Sequence, residues 1–296
     1  MILIKHRIIS RQLNMSTYRP DYLDNSYYSK NLLQFISSYL SKLRKVCLFL
    51  DIDGTLSEFH PDPAKSFIPQ ATLNTLQQLS KFDVTVILVT GRSVQVASDL
   101  ISPLKLPIAG THGLEIELDE ECNLDTARDQ IDLPAIVKNI EKLCHPYPQL
   151  RIEKKTHSVA IHYRECPELA NIAGEIATHV LSMQPELKIN EGKCVFELLP
   201  KDADKGRAIK KILEHFNFSD VLPIFIGDDK TDESGFKIIN QYEGISIKVG
   251  PESTHAHYRL KNVEDVADFL SLFSQFIKKR CLRLSQVSNG EKACLD

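Results

Sequence analysis

Leu48-Phe49-Leu50-Asp51-Ile52-Asp53-Gly54-Thr55-Leu56 is the stretch that decides the predicted fold, an apolar run that ends in two carboxylates and a Gly-Thr turn. Val46–Leu50 has the length and the β-branched and aromatic character of a buried strand. Side chains two residues apart along a strand share a face, so Asp51 and Asp53 are predicted to point the same way. Open α/β sheets bind ligands just past the carboxyl ends of their strands. We therefore expect a ligand site at this pair of acids.

The pair of carboxylates has two explanations. Acids this close repel each other, which favours a cation between them or a shared proton. Gly54 would let the backbone turn sharply beside such a ligand. An ordinary solvated strand-to-turn junction is the alternative, because Asp and Gly are common in turns. The remaining motifs of the chain favour the first explanation.

Strand-like and helical segments alternate along the rest of the chain, which indicates a parallel sheet covered by helices on both faces. The predicted fold class is therefore α/β, with a Rossmann-like parallel-sheet core. The predicted core strands are Val46–Leu50, Val84–Val89, Leu222–Ile226 and Ile245–Val249, and the predicted core helices are Pro69–Ser80, Val94–Ile101, Lys205–Phe216, Glu233–Asn240 and Val263–Phe276.

The middle of the chain follows a different pattern, which we interpret as an inserted α+β cap domain. Such an insert lies between two loops of the predicted site and is well placed to act as a lid. Its predicted strands are Glu115–Leu118, Arg151–Glu153, Ser158–Tyr163 and Val195–Leu198, and its predicted helices are Leu133–Cys144 and Cys166–Met183. The predicted division is an N-terminal extension at 1–40 with a helix over Tyr28–Leu43 leading into the core, a core at 41–113 and 200–280, the cap at 114–199, and a C-terminal tail at 281–296.

Bulk composition excludes several classes of partner. A net charge of -3 over 296 residues provides no basic field for nucleic acid. No apolar run is long enough to cross a membrane, and the N-terminus lacks the apolar segment of a signal peptide. Scattered cysteines without a C-x-x-C pair favour free thiols in a reducing cytoplasm. We expect a cytoplasmic protein that binds neither nucleic acid nor membrane, and the sequence leaves the oligomeric state open, with a monomer among the options.

Two predicted helix N-termini carry groups that suit a phosphate. Thr90-Gly91-Arg92-Ser93 follows the strand Val84–Val89, and a hydroxyl with helix N-terminal N–H groups can bind phosphate. Capping of the helix by Thr90 or Ser93 is the alternative, and the two roles are compatible. Lys205 opens another helix, where a cation opposes the helix dipole. We expect it to meet a phosphate or a carboxylate, with a solvated surface lysine as the alternative.

A third strand end is strongly acidic. Gly227-Asp228-Asp229-Lys230-Thr231-Asp232-Glu233 follows Leu222–Ile226 and places four acids in one short run. These acids repel one another without a cation, and oxygen ligands are what Mg²⁺ prefers. An acidic first helical turn would explain Asp232 and Glu233 through the helix dipole. It does not explain Gly-Asp-Asp at the end of a strand.

The order of these motifs resembles the haloacid dehalogenase superfamily of phosphotransferases, namely D-x-D-G-T, then T-G-R, then a lysine, then G-D-D. The resemblance covers the core from Cys47 to His112 and from Lys201 to Leu272. Motifs in the cap make the resemblance more specific. Together with the core motifs, they make the chain similar to trehalose-6-phosphate phosphatases. The matching pieces are Asp51-Ile52-Asp53-Gly54-Thr55-Leu56, Thr90-Gly91-Arg92, Gly110-Thr111-His112-Gly113, Glu153-Lys154-Lys155 with Ser158 and His162-Tyr163-Arg164, Gly192-Lys193 with Glu197, and Gly227-Asp228-Asp229-Lys230-Thr231-Asp232-Glu233.

The resemblance implies Mg²⁺-dependent hydrolysis of trehalose 6-phosphate to trehalose and phosphate, the last step of trehalose biosynthesis. It implies that Asp51 is the nucleophile, forming an aspartyl-phosphate, and that Asp53 is the general acid and then the base. It also implies that Mg²⁺ is held by Asp51, the main-chain carbonyl of Asp53, and Asp228. A related phosphatase for another sugar phosphate and a catalytically silent, sugar-phosphate-binding regulatory subunit are the alternatives.

Further implied roles concern the phosphate, the metal-bound waters and the sugar. Thr90 and Lys205 would hold phosphoryl oxygens, and Asp229 and Asp232 would orient waters on the metal. The cap would recognise the sugar through charged groups spaced an even number of residues apart on its strands, so that they share a face. Cross-strand ion pairs on a solvated sheet face are the alternative. The predicted substrate contacts are Gly91, Arg92, His112, Glu153, Lys155, Lys193 and Glu197.

Overall fold

The structure is a computed structural model, and it describes residues 32–33, 36, 45–60, 65–82, 84–119, 131–192, 194–216 and 221–292. Most of the predicted N-terminal extension and of the helix predicted over Tyr28–Leu43 lies outside these residues, and so does Lys193. Leu32 and Ile36 are helical and are buried against the core.

The elements along the described residues follow the predicted alternation in the two flanking parts of the chain. The strands are β1 (Lys45–Leu50), β2 (Val84–Val89), β3 (Ile108–Gly110), β4 (Glu115–Glu117), β5 (Arg151–Lys154), β6 (Val159–His162), β7 (Leu187–Gly192), β8 (Val195–Pro200), β9 (Val221–Gly227), β10 (Ile245–Val249) and β11 (Tyr258–Leu260). The helices are α1 (Gln70–Leu79), α2 (Val94–Ile101), α3 (Leu133–Cys144), α4 (Ala170–Met183), α5 (Lys205–His215), α6 (Glu233–Gln241) and α7 (Val263–Lys292).

The larger sheet has the strand order β11-β10-β9-β1-β2-β3-β4, with β1 at its centre. β1 runs parallel to both β2 and β9, and β9 runs parallel to β10. The carboxyl ends of these strands therefore meet at one edge of the sheet. Asp51, Thr90 and Asp228 each follow one of these strands, so the fold brings their loops together. The predicted α/β class with a parallel-sheet core is confirmed.

Helices bury both faces of this sheet. Leu48 of β1 belongs to one apolar cluster, together with Leu76 of α1 and Phe269 of α7. Its neighbour Phe49 belongs to a second cluster on the opposite face, together with Phe236 of α6. Each fully buried side chain of this size contributes about 1.5–3 kcal/mol to the stability of the folded state. The strands that carry the site are therefore firmly packed on both faces.

A second sheet, with the order β5-β6-β8-β7, is antiparallel throughout. Helices α3 and α4 cover one of its faces, where Ile140 and Ala177 pack with Ile161 and Leu198. Ala160 and Glu197 are register partners, and each is the chain neighbour of a residue in that apolar cluster. Alternation along the strands therefore places Glu197 on the sheet face opposite the helices.

Two segments differ from the prediction. The strand predicted in the cap at Glu115–Leu118 instead pairs with β3 in the core sheet, as antiparallel β4. The cause is a 3₁₀ turn at Thr111–Gly113, where positive φ angles at Thr111 and His112 reverse the chain directly after β3. An edge strand also alternates in polarity, so its sequence resembles that of a cap strand. In addition, α7 runs past Phe276 through most of the predicted tail, since no Gly or Pro interrupts it before its last residues.

Candidate active site

Lys205 connects two acids at the functional edge of the core sheet. Its Nζ donates hydrogen bonds to Asp51 Oδ1 at 2.8 Å and to Asp232 Oδ1 at 2.7 Å. The lysine is the first residue of α5, whose N-cap Asp204 accepts a hydrogen bond from the backbone N–H of Arg207. The side chain of Lys205 is only 3% exposed. The alternative of a solvated surface lysine is therefore excluded, and carboxylate partners of the predicted kind are present.

Burial and charge shift the pKa values of this group. Burial alone would lower the pKa of Lys205, but the carboxylates of Asp232 and Asp51 more than offset it and hold that pKa above its ordinary value. Burial raises the pKa of Asp51 well above its ordinary value, and the charges of Asp232 and Asp228 add to the effect while Lys205 opposes it. Burial and the charge of Asp232 also raise the pKa of Asp228 to about 7. The ammonium groups of Lys205 and Lys248 act on these acids but do not balance all three of them, so the site favours a further cation.

Three carboxylates are placed to hold that cation. Asp51, Asp228 and Asp232 each offer one oxygen, and these oxygens lie within 4.8 Å of one another. Oδ1 of Asp228 is buried and has no hydrogen-bond partner among the described residues. A buried oxygen without a donor is costly unless something else binds it. The donors are all oxygens, so they fit the predicted Mg²⁺. The main-chain carbonyl of Asp53 as a ligand stays a prediction.

Two glycines make room for these acids. Gly54 has a φ of +81°, and a Cβ built on it would lie 2.1 Å from Oδ2 of Asp228. A Cβ on Gly227 would lie 2.4 Å from Cγ of Asp232. Both distances are far shorter than any van der Waals contact. The carboxylates can therefore pack against these two turns only because no side chain is present.

The acid after Asp228 has a structural role in this conformation. Asp229 is exposed, and its side chain accepts a hydrogen bond from the backbone N–H of Lys230, capping a short 3₁₀ helix. Oδ2 of Asp232 accepts a hydrogen bond from the backbone N–H of Asp229 at 2.9 Å. Asp232 is thus fixed by two donors and is one of the three clustered acids. That either residue orients metal-bound waters stays a prediction.

The second acid of the opening motif is paired with an arginine. Arg92 Nε lies 2.7 Å from Asp53 Oδ2, and Arg92 Nη2 lies 2.7 Å from Asp53 Oδ1. Two parallel N–H···O bonds of this kind fix both the position and the orientation of a carboxylate. Ser66 also donates to Asp53 Oδ1, at 3.4 Å. Arg92 therefore lies at the candidate reacting centre because it binds Asp53, a pairing that the sequence did not indicate.

The loop after β2 has the features predicted for phosphate binding and those of a helix cap. Thr90 is buried, and its hydroxyl accepts a hydrogen bond from the backbone N–H of Arg92 at 3.2 Å. Ser93 caps α2 by accepting from the backbone N–H of Val96. A Cβ on Gly91 would lie 2.7 Å from ring atoms of His112. Gly91 is therefore required for the packing of that imidazole.

Glu197 is the centre of a polar group that connects the second sheet to the core. Oε1 accepts hydrogen bonds from Lys155 Nζ at 2.8 Å and from the Ser158 hydroxyl at 2.6 Å. Oε2 lies 3.5 Å from Nε2 of His112, on the loop after β3. Burial alone would raise the pKa of Glu197, but the hydrogen bond from His112 and the charge of Lys155 hold it well below its usual range. Glu197 is therefore a buried carboxylate anion.

The other predicted sugar contacts lie nearby. Glu153 Oε2 lies 2.8 Å from Nε2 of His162, and this hydrogen bond holds the pKa of Glu153 below its ordinary value. The charges of Lys155 and Glu197 also act on Glu153. Such contacts are the cross-strand ion pairs that the alternative interpretation placed on a solvated sheet face. Glu197 is only 8% exposed, however, so that face of the second sheet is not fully solvated.

The chain matches known proteins over most of its length. A model of the trehalose-phosphatase family matches residues 49–264. The chain belongs to the trehalose-phosphatase family. A trehalose-6-phosphate phosphatase of Escherichia coli is 33% identical over 242 residues, which cover 80% of this chain and 89% of the relative. The relatives are named as phosphatases, so the predicted enzyme class, a phosphoric monoester hydrolase, is confirmed.

Solved structures share the fold of this trehalose-phosphatase family member. The C-terminal domain of a C. albicans trehalose-6-phosphate phosphatase matches with a TM-score of 0.72 at 20% identity, covering 86% of this chain and 97% of that one. A haloacid dehalogenase-like hydrolase from Bacteroides thetaiotaomicron matches with a TM-score of 0.59 at 16% identity, covering 79% and 99%. These likenesses show that the chain shares the fold of both proteins. Across the part of the chain that the structure describes, no helix is both long and apolar enough to cross a membrane.

Further contacts of this trehalose-phosphatase family member join the two sheets. His157 Nε2 lies 3.5 Å from Glu115 Oε1, and the Arg164 guanidinium lies 4.7 Å from the centre of the Phe59 ring. Glu115 also accepts hydrogen bonds from the backbone N–H of Val94 and the Thr111 hydroxyl. The sequence did not single out Glu115, because its contacts depend on the chain reversal before β4.

Proposed function

We propose that this chain is a Mg²⁺-dependent phosphatase that hydrolyses trehalose 6-phosphate to trehalose and phosphate, completing trehalose biosynthesis. The observation that carries the proposal is the buried contact between Lys205 and Asp51 beside the acid cluster. A nucleophile held by an ammonium group, next to a carboxylate oxygen that lacks a donor, suits attack on an anionic phosphate. The relatives that are named for this activity support the same substrate.

Asp51 would act as the nucleophile. One of its oxygens attacks phosphorus, the bond from phosphorus to the sugar oxygen breaks, and an aspartyl-phosphate results. Water then attacks phosphorus, the bond to Asp51 breaks, and phosphate leaves. Lys205 would hold both Asp51 and a phosphoryl oxygen, and the buried Thr90 hydroxyl would hold another.

Asp53 would move the proton in both steps. It donates a proton to the departing sugar oxygen and then accepts one from the attacking water. The two-point contact with Arg92 places Asp53 beside the reacting centre, and one carboxylate oxygen would have to leave the arginine before it carries the proton. The same arginine would extend this network towards the phosphate when Asp53 turns to the substrate.

Mg²⁺ would be held by Asp51, Asp228 and the main-chain carbonyl of Asp53, with Asp232 beside them. When bound, it supplies positive charge that offsets the repulsion between a carboxylate nucleophile and an anionic phosphate. The buried Oδ1 of Asp228, which has no hydrogen-bond donor among the described residues, is the group of this chain that is available to meet that charge.

The cap would select the sugar. Glu197 and Glu153 lie on strands of the second sheet, Lys155 directly follows β5, and His112 joins them from the core. Charged donors and acceptors held in this way can bind the many hydroxyls of a disaccharide. Lys193 would add to this set. The cytoplasmic location and a monomeric state belong to the proposal as expectations.

Phosphate release from a panel of sugar phosphates tests the proposal. We expect turnover of trehalose 6-phosphate that requires Mg²⁺ and stops with a chelator. Turnover of glucose 6-phosphate or sucrose phosphate, with none of trehalose 6-phosphate, would establish a related phosphatase for another sugar. Binding without turnover of any member would establish a silent regulatory subunit.

A further inference from the structure

We propose that Lys248 is a positioning residue that fixes the main chain of Asp228, so that the carboxylate of Asp228 faces Asp51 and can bind the divalent cation. The inference rests on the proposed function, since it concerns the same metal site. It adds a buried lysine from a different strand, which neither the motifs nor the proposed mechanism uses.

Lys248 lies at the functional edge of the core sheet. It is in β10, and its register partner on β9 is Gly227, the residue before Asp228. Its side chain is 3% exposed, in a strand that is otherwise apolar except for Ser246 and is buried along its whole length. A lysine in such a strand has a large desolvation cost, which only matching acceptors can offset.

The ammonium group has three acceptors in the structure. Lys248 Nζ donates to the main-chain carbonyl of Asp228, to the carbonyl of Val249 at 2.8 Å, and to Glu252 Oε2 at 3.1 Å. An ammonium group has three N–H donors, so this set satisfies it. The contact with Asp228 is the one that joins the ends of two neighbouring strands, β10 and β9.

This contact holds the main chain of Asp228, whereas the carboxylate of the same residue lies with the other acids. The carboxylate packs over Gly54, with Oδ1 buried and lacking a donor among the described residues. The carbonyl of the same residue is held by Lys248. The backbone is thus fixed while the side-chain oxygen stays available for a cation. Outer groups that orient metal ligands in this way have large effects on metal affinity.

The two buried lysines of the site have different partners. Lys205 contacts the side chains of Asp51 and Asp232, where the phosphate is expected. Lys248 contacts main-chain carbonyls and a glutamate whose side chain is 66% exposed. On the face of β10 that carries Lys248, the neighbouring residue Ser246 is also polar and is hydrogen-bonded to Asn240, and of the contacts of Lys248 only that to Asp228 reaches the acid cluster. The ammonium group of Lys248 therefore acts on the turn that carries Asp228.

Binding of Mn²⁺ to the metal-free protein, followed by electron paramagnetic resonance, tests the inference without using activity. Lys248→Met keeps the length of the side chain and removes its donors. We expect its Mn²⁺ dissociation constant to rise by about tenfold or more, at a temperature where thermal unfolding shows a folded protein. Lys237→Met, an exposed lysine replaced on α6, is the matched control and should bind as the unaltered protein does. Lys248→Arg keeps a cationic donor and should recover part of the affinity.

A kinetic measurement separates positioning from general damage. In Lys248→Met we expect kcat to recover as Mg²⁺ is raised, with little change in the KM for the sugar phosphate. A purely structural role would lower kcat at every Mg²⁺ concentration. If the methionine variant does not unfold cooperatively, Glu252→Ala decides, because that side chain is largely exposed. It should weaken Mn²⁺ binding by about threefold through the loss of one partner of Lys248.

The outcomes are distinct. Unaltered Mn²⁺ affinity in Lys248→Met, or in Glu252→Ala where that variant decides, overturns the inference and leaves the proposed function standing. Failure of the unaltered protein to bind Mn²⁺ overturns the proposed metal site and the inference together. Asp228→Asn serves as the reference for loss of a ligand, and the unaltered protein must bind Mn²⁺ more tightly than this variant.

Discussion

Arg92 and Asp53 form a two-point ion pair, with both N···O distances at 2.7 Å. The arginine follows β2 and the acid follows β1, so the pair joins the ends of two adjacent parallel strands. The proposed general acid is therefore held by the same loop that carries the hydroxyl of Thr90, the proposed phosphate ligand. In the proposed mechanism, proton transfer and phosphate binding would thus be coupled through one short segment.

The first prediction concerns this pair. Arg92→Met leaves Asp53 without its orienting partner, and we expect kcat to fall by about a hundredfold because small errors in orientation are costly in catalysis. Arg92→Lys can make only one of the two contacts, so its kcat should lie between those of Arg92→Met and the unaltered protein. Arg207→Met breaks the exposed pair with Asp202 and should change kcat little. Steady-state kinetics on trehalose 6-phosphate measures all three, and an unchanged kcat in Arg92→Met would contradict the assignment.

The nucleophile is tested by Asp51→Asn. The amide keeps the shape of the side chain but cannot form an acyl phosphate, so we expect turnover to be lost. Lys205 keeps Asp232 as a partner, so the protein should fold and still bind a sugar phosphate. Phosphate release and calorimetric binding are the measurements. Full activity in this variant would refute the assignment of Asp51.

The acid cluster predicts a pH dependence of stability in the metal-free protein. Burial and Asp232 raise the folded-state pKa of Asp228 to about 7, far above that of an unfolded Asp. Between these values the folded state binds more protons than the unfolded state, so this residue's contribution to the free energy of unfolding falls as pH rises to about 7. The loss is on the order of a few kcal/mol.

Urea denaturation in the presence of a chelator checks this sign. The difference in free energy of unfolding between pH 5 and pH 8 should be smaller in Asp228→Asn than in the unaltered protein. Saturating Mg²⁺ should restore stability at pH 8 only where Asp228 is present. Equal pH dependence in the two proteins would show that Asp228 does not titrate as proposed.

The sequence predicted where the site lies but not how its groups are paired. Asp51 and Asp228 were found because each ends an apolar strand, and parallel strands end at one edge. The burial of Lys205 and the partner of Arg92 depend on packing between segments that are remote in sequence. β4 was misplaced because a chain reversal through positive φ at His112 has no clear sequence signal without Gly or Asn at that position. Lys248 did leave a signal, a single charge inside an apolar strand.

Gly54 offers a test of the acid cluster with a close control. Gly54→Ala places a methyl group 2.1 Å from the present position of Asp228 Oδ2, so we expect Mn²⁺ affinity and activity to be largely lost. Gly250→Ala has the same backbone problem, since its φ is +97°, but its Cβ would meet only the end of Glu252, so we expect at most the threefold loss of Mn²⁺ affinity predicted for Glu252→Ala. Both variants should lose about 1 kcal/mol or more of stability from strain. Only the Gly54 variant should lose the metal, which Mn²⁺ titration of both would show.

The last prediction separates sugar recognition from phosphate chemistry. Glu197→Gln keeps the volume of the side chain but weakens its contacts with Lys155 and His112. We expect the KM for trehalose 6-phosphate to rise by about tenfold or more, since a buried charged partner is replaced by a neutral one. Hydrolysis of p-nitrophenyl phosphate, which has no sugar, should change little.

Glu191→Gln is the control for Glu197→Gln, because it is the same substitution at an exposed position on β7. It should leave both substrates unaffected. Equal losses on both substrates in Glu197→Gln would mean that Glu197 acts on the phosphate site through His112, which packs against Gly91. Loss confined to trehalose 6-phosphate would place the selection of the sugar in the cap, with the core supplying the reaction.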